Sequence, residues 1–331
     1  MKNTYNEVKN FRELLDESAY IFIIAVAGDS GSGKTTFTDA LISIFGRDLV
    51  STITLDDYHL YDRADRERLG ITPLAHKANN FELLATHLHA LKRGEDILKP
   101  VYNHQYGRFD EPILFSPTKF IILEGLHPIV TPNLREHIDY SIFIDPDTEV
   151  KYRWKIDRDI AKRNYTEEQV LAEIKEREPD YLKYVLPQRA YADSIITISF
   201  SGFHNSLHLQ TERKYAAAIN LSRPQECVRD INLNIDLFSL LSTSDMDFMM
   251  QCSSKVIDGR RFRQIAFDGE LTPFTIRKIE LSIEAETGVF PINIFRDRDI
   301  ITATDLVRLI LAWRIINRRI VIGDGESNTH K

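Results

Sequence analysis

A chain of 331 residues, 43% hydrophobic and 27% charged, has the composition of a folded protein and is long enough for one large α/β domain or a core plus a smaller unit. Its formal net charge of −7 argues against a nucleic-acid binder over the whole chain, though not against a local basic pocket. Cys227 and Cys252, with no CxxC pair anywhere, exclude a disulfide framework and suit a reducing cytoplasm.

The first eighteen residues, MKNTYNEVKNFRELLDES, are polar and lack the apolar core of a signal peptide. YIFIIAVAG follows and reads as a buried parallel strand. No apolar run reaches the ~18 residues of a membrane span. The expectation is a soluble, cytoplasmic chain with neither membrane nor nucleic acid as partner.

Residues 28–35, GDSGSGKT, fit G-x-x-x-x-G-K-[ST] in full. Glycines let backbone N–H groups curl inward around phosphate oxygens, and the helix expected over Thr35–Phe45 offers its N-terminus to the same anion. The motif assigns Gly28, Asp29, Ser30, Gly31, Ser32, Gly33, Lys34, Thr35 and Thr36 to ATP. Lys34 reaches the β/γ-phosphates and the Thr35 hydroxyl is a Mg²⁺ ligand.

Val50–Leu55 reads as a second strand, and LDDYHLYDR closes it. Parallel strands present their C-terminal ends to the ligand, so Asp56 or Asp57 can act as the base that deprotonates an attacking hydroxyl. His59 and Arg63 follow at once and suit an acceptor that already carries a phosphate. FELLATHLHALKRG reads as a helix stopped at Gly94. KPVYNHQYGRFD brings Tyr102 and His104 and reads equally as a sugar clasp or a surface hairpin.

KFIILEG is a further buried strand. Its Glu124 sits where a second carboxylate would face the metal beside the phosphate loop. YSIFID, ending at Asp145, is a fourth. From Asp147 to about Ala192 the pattern is helical. Within it Lys155, Arg158, Asp159 and Lys162 share a helix face, as a lid that brings cations to the transition state requires; a merely solvated face has the same spacing.

SIITISF returns to strand character. SLHLQT and INLNIDLFSL then alternate with period two, as antiparallel strands do. TATDLVRLILAWRIIN reads as a helix, and GDGESNTHK as a frayed tail. The fold expected is α/β, a P-loop NTPase-type, mostly parallel sheet flanked by helices. Residues 1–205 form the core with its lid helices, and residues 206–331 an α+β extension that adds antiparallel strands.

GDSGSGKTT, DDYHLYDR, KPVYNH, ILEGLHP, WKIDRDIAKR and PQRAYAD, in this order, resemble the phosphoribulokinase family over about residues 20–195. VRDINLNIDLFSL and LILAWRIIN are similar to its shorter, archaeal-type members. The resemblance implies transfer of the γ-phosphoryl of ATP, with Mg²⁺, to the 1-hydroxyl of D-ribulose 5-phosphate, in a carbon-fixation or related pentose pathway. It implies Asp56 as catalytic base, with Lys34, Glu124 and Asp159 as further catalytic residues and Thr35 and Glu124 on the metal. It also implies His59 and Arg63 toward the sugar phosphate, and Lys155, Arg158, Asp159 and Arg163 in the lid and substrate-phosphate site; the spacing argument alone does not single out Arg163. The family is generally dimeric or larger, so a homodimer is expected. Plant-type members carry a regulatory cysteine in the phosphate loop, and residues 28–36 here contain none. A uridine kinase of the same superfamily is the alternative. A nucleotide switch is disfavoured by the absence of N-K-x-D.

Overall fold

The computed structural model describes residues 11–163, 165–203, 214–222, 248–274, 276–277, 281, 295 and 298–329. Strand β1, Phe22–Gly28, is buried at all seven positions, as a strand covered on both faces must be. Phe22, Ile24 and Val26 enter one core cluster, while Ile23 enters another with Leu84, Leu88 and Leu91. β1 pairs in parallel with β5 (Phe120–Gly125) and with β6 (Tyr140–Ile144). β2 (Val50–Thr54) lies beyond β5, and β7 (Ser194–Phe200) beyond β6, both parallel. The C-terminal ends of these five strands therefore share one edge of the sheet, the edge at which α/β folds bind ligands.

Past β7 the direction changes. β8 (Tyr215–Ser222) is antiparallel to β7, and β10 (Arg260–Leu271) is antiparallel to β8. β9 (Phe248–Ile257) and the short β11 (Ile301–Thr302) both pair with β10. Among the described residues the path is β11-β10-β8-β7-β6-β1-β5-β2, a mostly parallel sheet with antiparallel strands on its C-terminal side. The sheet runs from β7 into β8 without interruption, across the division expected at residue 205.

All of SLHLQT and of INLNIDLFSL, read as antiparallel strands, lie outside the described residues, as does Cys227. The antiparallel strands that are described sit elsewhere. Asp258 and Gly259 join β9 to β10 with φ of 48° and 77°. Asp-Gly is the residue pair that a tight two-residue hairpin demands, and it is the signal that would have found this one.

Helix α1 (Phe11–Glu17), not anticipated from the sequence, buries Phe11 and Leu15 against the same core as β1. α2 (Lys34–Phe45) follows β1, and α4 (Phe81–Lys92) starts at Asn80, whose side chain accepts from the Leu83 N–H. α3 (Arg63–Leu69) and α5 (Pro132–Arg135) are short. The forty-residue helical stretch is broken into α6 (Thr148–Arg163) and α7 (Glu167–Asp180), because a Thr166–Gln169 capping box starts a new helix. α8 (Ala303–Thr329) buries Leu306, Val307, Leu309, Leu311, Ile315 and Ile316. It runs through much of the segment expected to fray; a glycine in a helix costs only ~1 kcal/mol and does not end it. Among the described residues no helix is long and apolar enough to cross a membrane.

His127 lies just past β5, 1% exposed, with its ring against those of His76 and Phe81. Burial pushes its pKa down to about 3, and the neighbouring His76 acts in the same direction. A histidine whose folded pKa lies below its unfolded value of 6.5 costs stability as pH falls below 6.5, since only the unfolded chain takes up the proton. From pH 7 to pH 5 this amounts to about 2 kcal/mol. His127→Phe is expected to shrink the drop in Tm between pH 7 and pH 5. An equal drop in both proteins would show that His127 is not the acid-sensitive group.

Candidate active site

The loop from Gly28 to Lys34 leaves the end of β1 and turns with φ of 151°, 79° and 88° at Gly28, Gly31 and Gly33. Two of these positions are also crowded, Gly28 the more so. A Cβ on Gly28 would lie 2.7 Å from the Ile144 carbonyl oxygen, and one on Gly33 would lie 3.1 Å from the Trp154 ring. Lys34 Nζ donates to the Gly28 and Asp29 carbonyls at 3.2 and 2.7 Å, which hangs the ammonium over the loop. Burial lowers the Lys34 pKa, and Glu124, Asp29 and Asp56 pull it back up. Thr35 Oγ1 donates to Glu124 Oε1 at 2.8 Å, so the two residues expected on the metal meet between the start of α2 and the end of β5. Asp29 pairs with Lys151 at 3.1 Å, and the buried Ser32 Oγ has no partner among the described residues.

A cleft of about 1820 Å³ opens at this edge and holds Lys34, Thr35, Asp56 and Glu124 together. The structure separates the two aspartates that the sequence left open. Asp57 is buried, bonded to Lys99 Nζ and accepting from the Tyr102 N–H at 2.8 Å, so it ties β3 (Ile97–Asn103) to the turn after β2. Asp56 is part-exposed in the cleft, with His59 Nε2 at 3.6 Å and His104 Nε2 at 3.3 Å.

Asn79 fixes the His59 tautomer. Its Nδ2 donates to the Pro73 and Ala75 carbonyls, so its Oδ1 must be the atom 2.9 Å from His59 Nδ1, and Nδ1 carries the proton. Burial lowers the His59 pKa against the pull of Asp56. A neutral ring then leaves Nε2 as an acceptor beside Asp56.

The segment KPVYNHQYGRFD is a hairpin, β3 with β4 (Arg108–Phe115), and Tyr102, His104 and Gln105 of it line the cleft. Arg63 donates from Nη2 to the His104 carbonyl at 2.8 Å. Its side chain lies where a Cβ on Gly107 would come within 2.9 Å. Sequence reasoning missed Arg66, one turn further along α3. It is buried, donates to the Tyr61 carbonyl and the Tyr102 hydroxyl, and faces the cleft. Its i, i+3 spacing from Arg63 was the available signal. Among the described residues no carboxylate pairs with either arginine.

On the lid side, Arg158 lines the cleft and reaches Ser30 Oγ at 3.3 Å. Asp159 does not line it. It is fully buried and holds Arg158 Nε at 2.8 Å. Lys155 is likewise turned inward, buried and paired with Glu173 at 3.3 Å. Arg177, also missed, lies in the cleft beside Glu173. The side chain of Arg163 lies outside the described residues.

Residues 23–200 match the Phosphoribulokinase / Uridine kinase family. The chain belongs to this family. Within it, the phosphoribulokinase of Synechocystis sp. is 44% identical over 178 residues, 54% of this chain and 54% of that one. The uridine kinase of Shewanella halifaxensis is 35% identical over 182 residues, 53% of this chain and 86% of that one. The chain thus spans about half the length of the phosphoribulokinases it matches. A solved phosphoribulokinase from Rhodobacter spheroides superposes with a TM-score of 0.54 at 18% identity, covering 91% of this chain and 99% of that one, which shows a likeness of fold.

Proposed function

We propose that the chain is a phosphoribulokinase, transferring the γ-phosphoryl of ATP to the 1-hydroxyl of D-ribulose 5-phosphate. The observation that carries this reading is the pair Arg63 and Arg66, with no carboxylate partner among the described residues, lining the same cleft as the part-exposed Asp56 and the phosphate loop. A neutral nucleoside has no use for two such cations, whereas a sugar phosphate does.

In this reading Asp56 takes the proton of the attacking hydroxyl, and His59 and His104 flank the carboxylate. Lys34 and the loop amides hold the β/γ-phosphates, and Arg158 follows the charge that develops on the transferred group. Asp159 acts by positioning Arg158, and Lys155 by holding Glu173 and α7. Thr35 and Glu124 supply two oxygens of the kind Mg²⁺ takes, and this ion characteristically has few protein ligands. When bound, it neutralises charge on the β/γ-phosphates. Among the described residues no cluster of three or more His, Cys, Asp or Glu suits a metal. The same reading places the protein in the cytoplasm as a homodimer.

The test is turnover with ribulose 5-phosphate beside uridine. Faster turnover of uridine would favour the uridine kinase reading. Arg63→Ala is expected to raise KM for ribulose 5-phosphate and leave KM for ATP nearly unchanged. A charge-assisted bond to a phosphate is worth about 1.5–3 kcal/mol, so kcat/KM should fall roughly 10–150-fold. A rise in the ATP value alone would assign Arg63 to the nucleotide instead.

A further inference from the structure

The end of β6 carries a carboxylate for which the transfer reaction has no direct use. Asp145 follows Ile144, and Ile144 is the register partner of Gly28, where the phosphate loop begins. Asp147 and the loop's own Asp29 crowd the same corner. Burial, and then Asp145, push the Asp147 pKa up. Burial, then Asp145 and Asp29, do the same to Tyr181, whose hydroxyl is bonded to Asp145.

The cation that serves the loop here is Lys151 of α6. It pairs with Asp29 Oδ2 at 3.1 Å and stands over the Tyr181 ring, 4.1 Å from its centre. Asp29 takes the Ser30 N–H on its other carboxylate oxygen at 2.7 Å, and its carbonyl accepts from Lys34 Nζ. The Lys151–Asp29 pair therefore braces the part of the loop from which Lys34 hangs. Asp145 and Asp29 both act on the ring that carries Lys151, so an unneutralised Asp145 would compete with Asp29 for that ammonium.

Arg189 supplies the missing charge. Its Nη1 donates to Asp145 Oδ2 at 2.7 Å, while Nε and Nη2 donate to the two oxygens of Asp258, each at 2.8 Å. Such a fork fixes the plane of a guanidinium. Asp258 is the residue at positive φ in the β9–β10 turn. Asn or Gly would satisfy that backbone equally, so the carboxylate is put to use by Arg189 rather than by the turn. A hairpin beyond the residues matched to the family thus holds a cation against the strand end beside the phosphate loop.

We infer that Arg189 is a positioning residue for the phosphate loop: it neutralises Asp145 and so leaves Lys151 to Asp29, while Asp258 of the C-terminal hairpin holds it in place. The inference rests on the reading of the loop as a nucleoside triphosphate site, but not on the identity of the acceptor. It gives the hairpin a part in nucleotide binding without a contact to the nucleotide.

The test is calorimetric binding of ATP to the full chain with Mg²⁺ and no sugar phosphate, with the thermal transition of each variant alongside. Arg189→Met is expected to weaken ATP about tenfold, the scale on which residues without ligand contact shift a site. Asp145→Asn removes the charge that Arg189 neutralises and still accepts from the Tyr181 hydroxyl. Adding it to Arg189→Met is expected to restore ATP affinity to within about twofold of Asp145→Asn alone. A mere staple of the fold predicts no such rescue, because the double variant still lacks the fork to Asp258. Unchanged affinity in Arg189→Met, or a loss that Asp145→Asn does not restore, would overturn the inference. Should Arg189→Met show no thermal transition, Arg189→Gln, an uncharged donor, takes its place in both comparisons. Loss of folding there too would make the arginine a staple of the fold and overturn the inference equally. Failure of the unaltered protein to bind ATP would bring down the nucleotide reading itself, a distinct result.

Discussion

Asp56→Asn is expected to lower kcat by roughly 10²-fold or more, with a much smaller effect on ATP affinity, as loss of a general base implies. The carboxylate lies part-exposed in the cleft, within 3.3–3.6 Å of two imidazole nitrogens and shared with the Thr35–Glu124 pair. Asparagine keeps its shape and removes its basicity. The adjacent Asp57→Asn is expected to act through stability, because Asp57 is buried against Lys99 and the Tyr102 N–H. Breaking a buried pair costs about 3–5 kcal/mol. Measuring kcat and Tm on both variants separates the roles. A catalytic loss confined to Asp57→Asn would show that the base is the other carboxylate.

Lys34→Ala is expected to remove phosphoryl transfer almost entirely, by about 10³-fold or more, while the protein still folds. Nζ is suspended over the loop, where burial lowers its pKa and Glu124, Asp29 and Asp56 oppose that shift. Its bonds are to loop carbonyls rather than to the core, so its loss should leave Tm close to that of the unaltered chain. The check is turnover together with the thermal transition. Near-normal turnover in a folded variant would withdraw the phosphate-loop assignment.

Both predictions concern residues that are legible in sequence for one reason. A strand end and the loop after it are contiguous in the chain, so GDSGSGKT, LDDYH and FIILEG carry their chemistry at fixed offsets from apolar runs. The same contiguity explains why the parallel strands and the helix after β1 were expected where they occur.

The helices were less legible. Lys155, Arg158 and Asp159 share a stripe on α6, but spacing alone does not say what the stripe faces. Packing against α7 turns Lys155 toward Glu173 and buries Asp159, leaving Arg158 at the cleft. Arg66 and Arg177 entered for the converse reason, since their local sequence is that of an ordinary charged helix.

What the sequence determined by itself was the phosphate loop, the strands that carry Asp56 and Glu124, and the family. Only the tertiary structure decided which of two adjacent aspartates reaches the cleft. It alone brought Tyr215 and Arg308 beside Trp154 and Phe37, positions more than sixty residues distant in the chain. The physical reason is that burial and long-range contact depend on sheet order and helix packing, which place β8 and α8 against the first half of the fold.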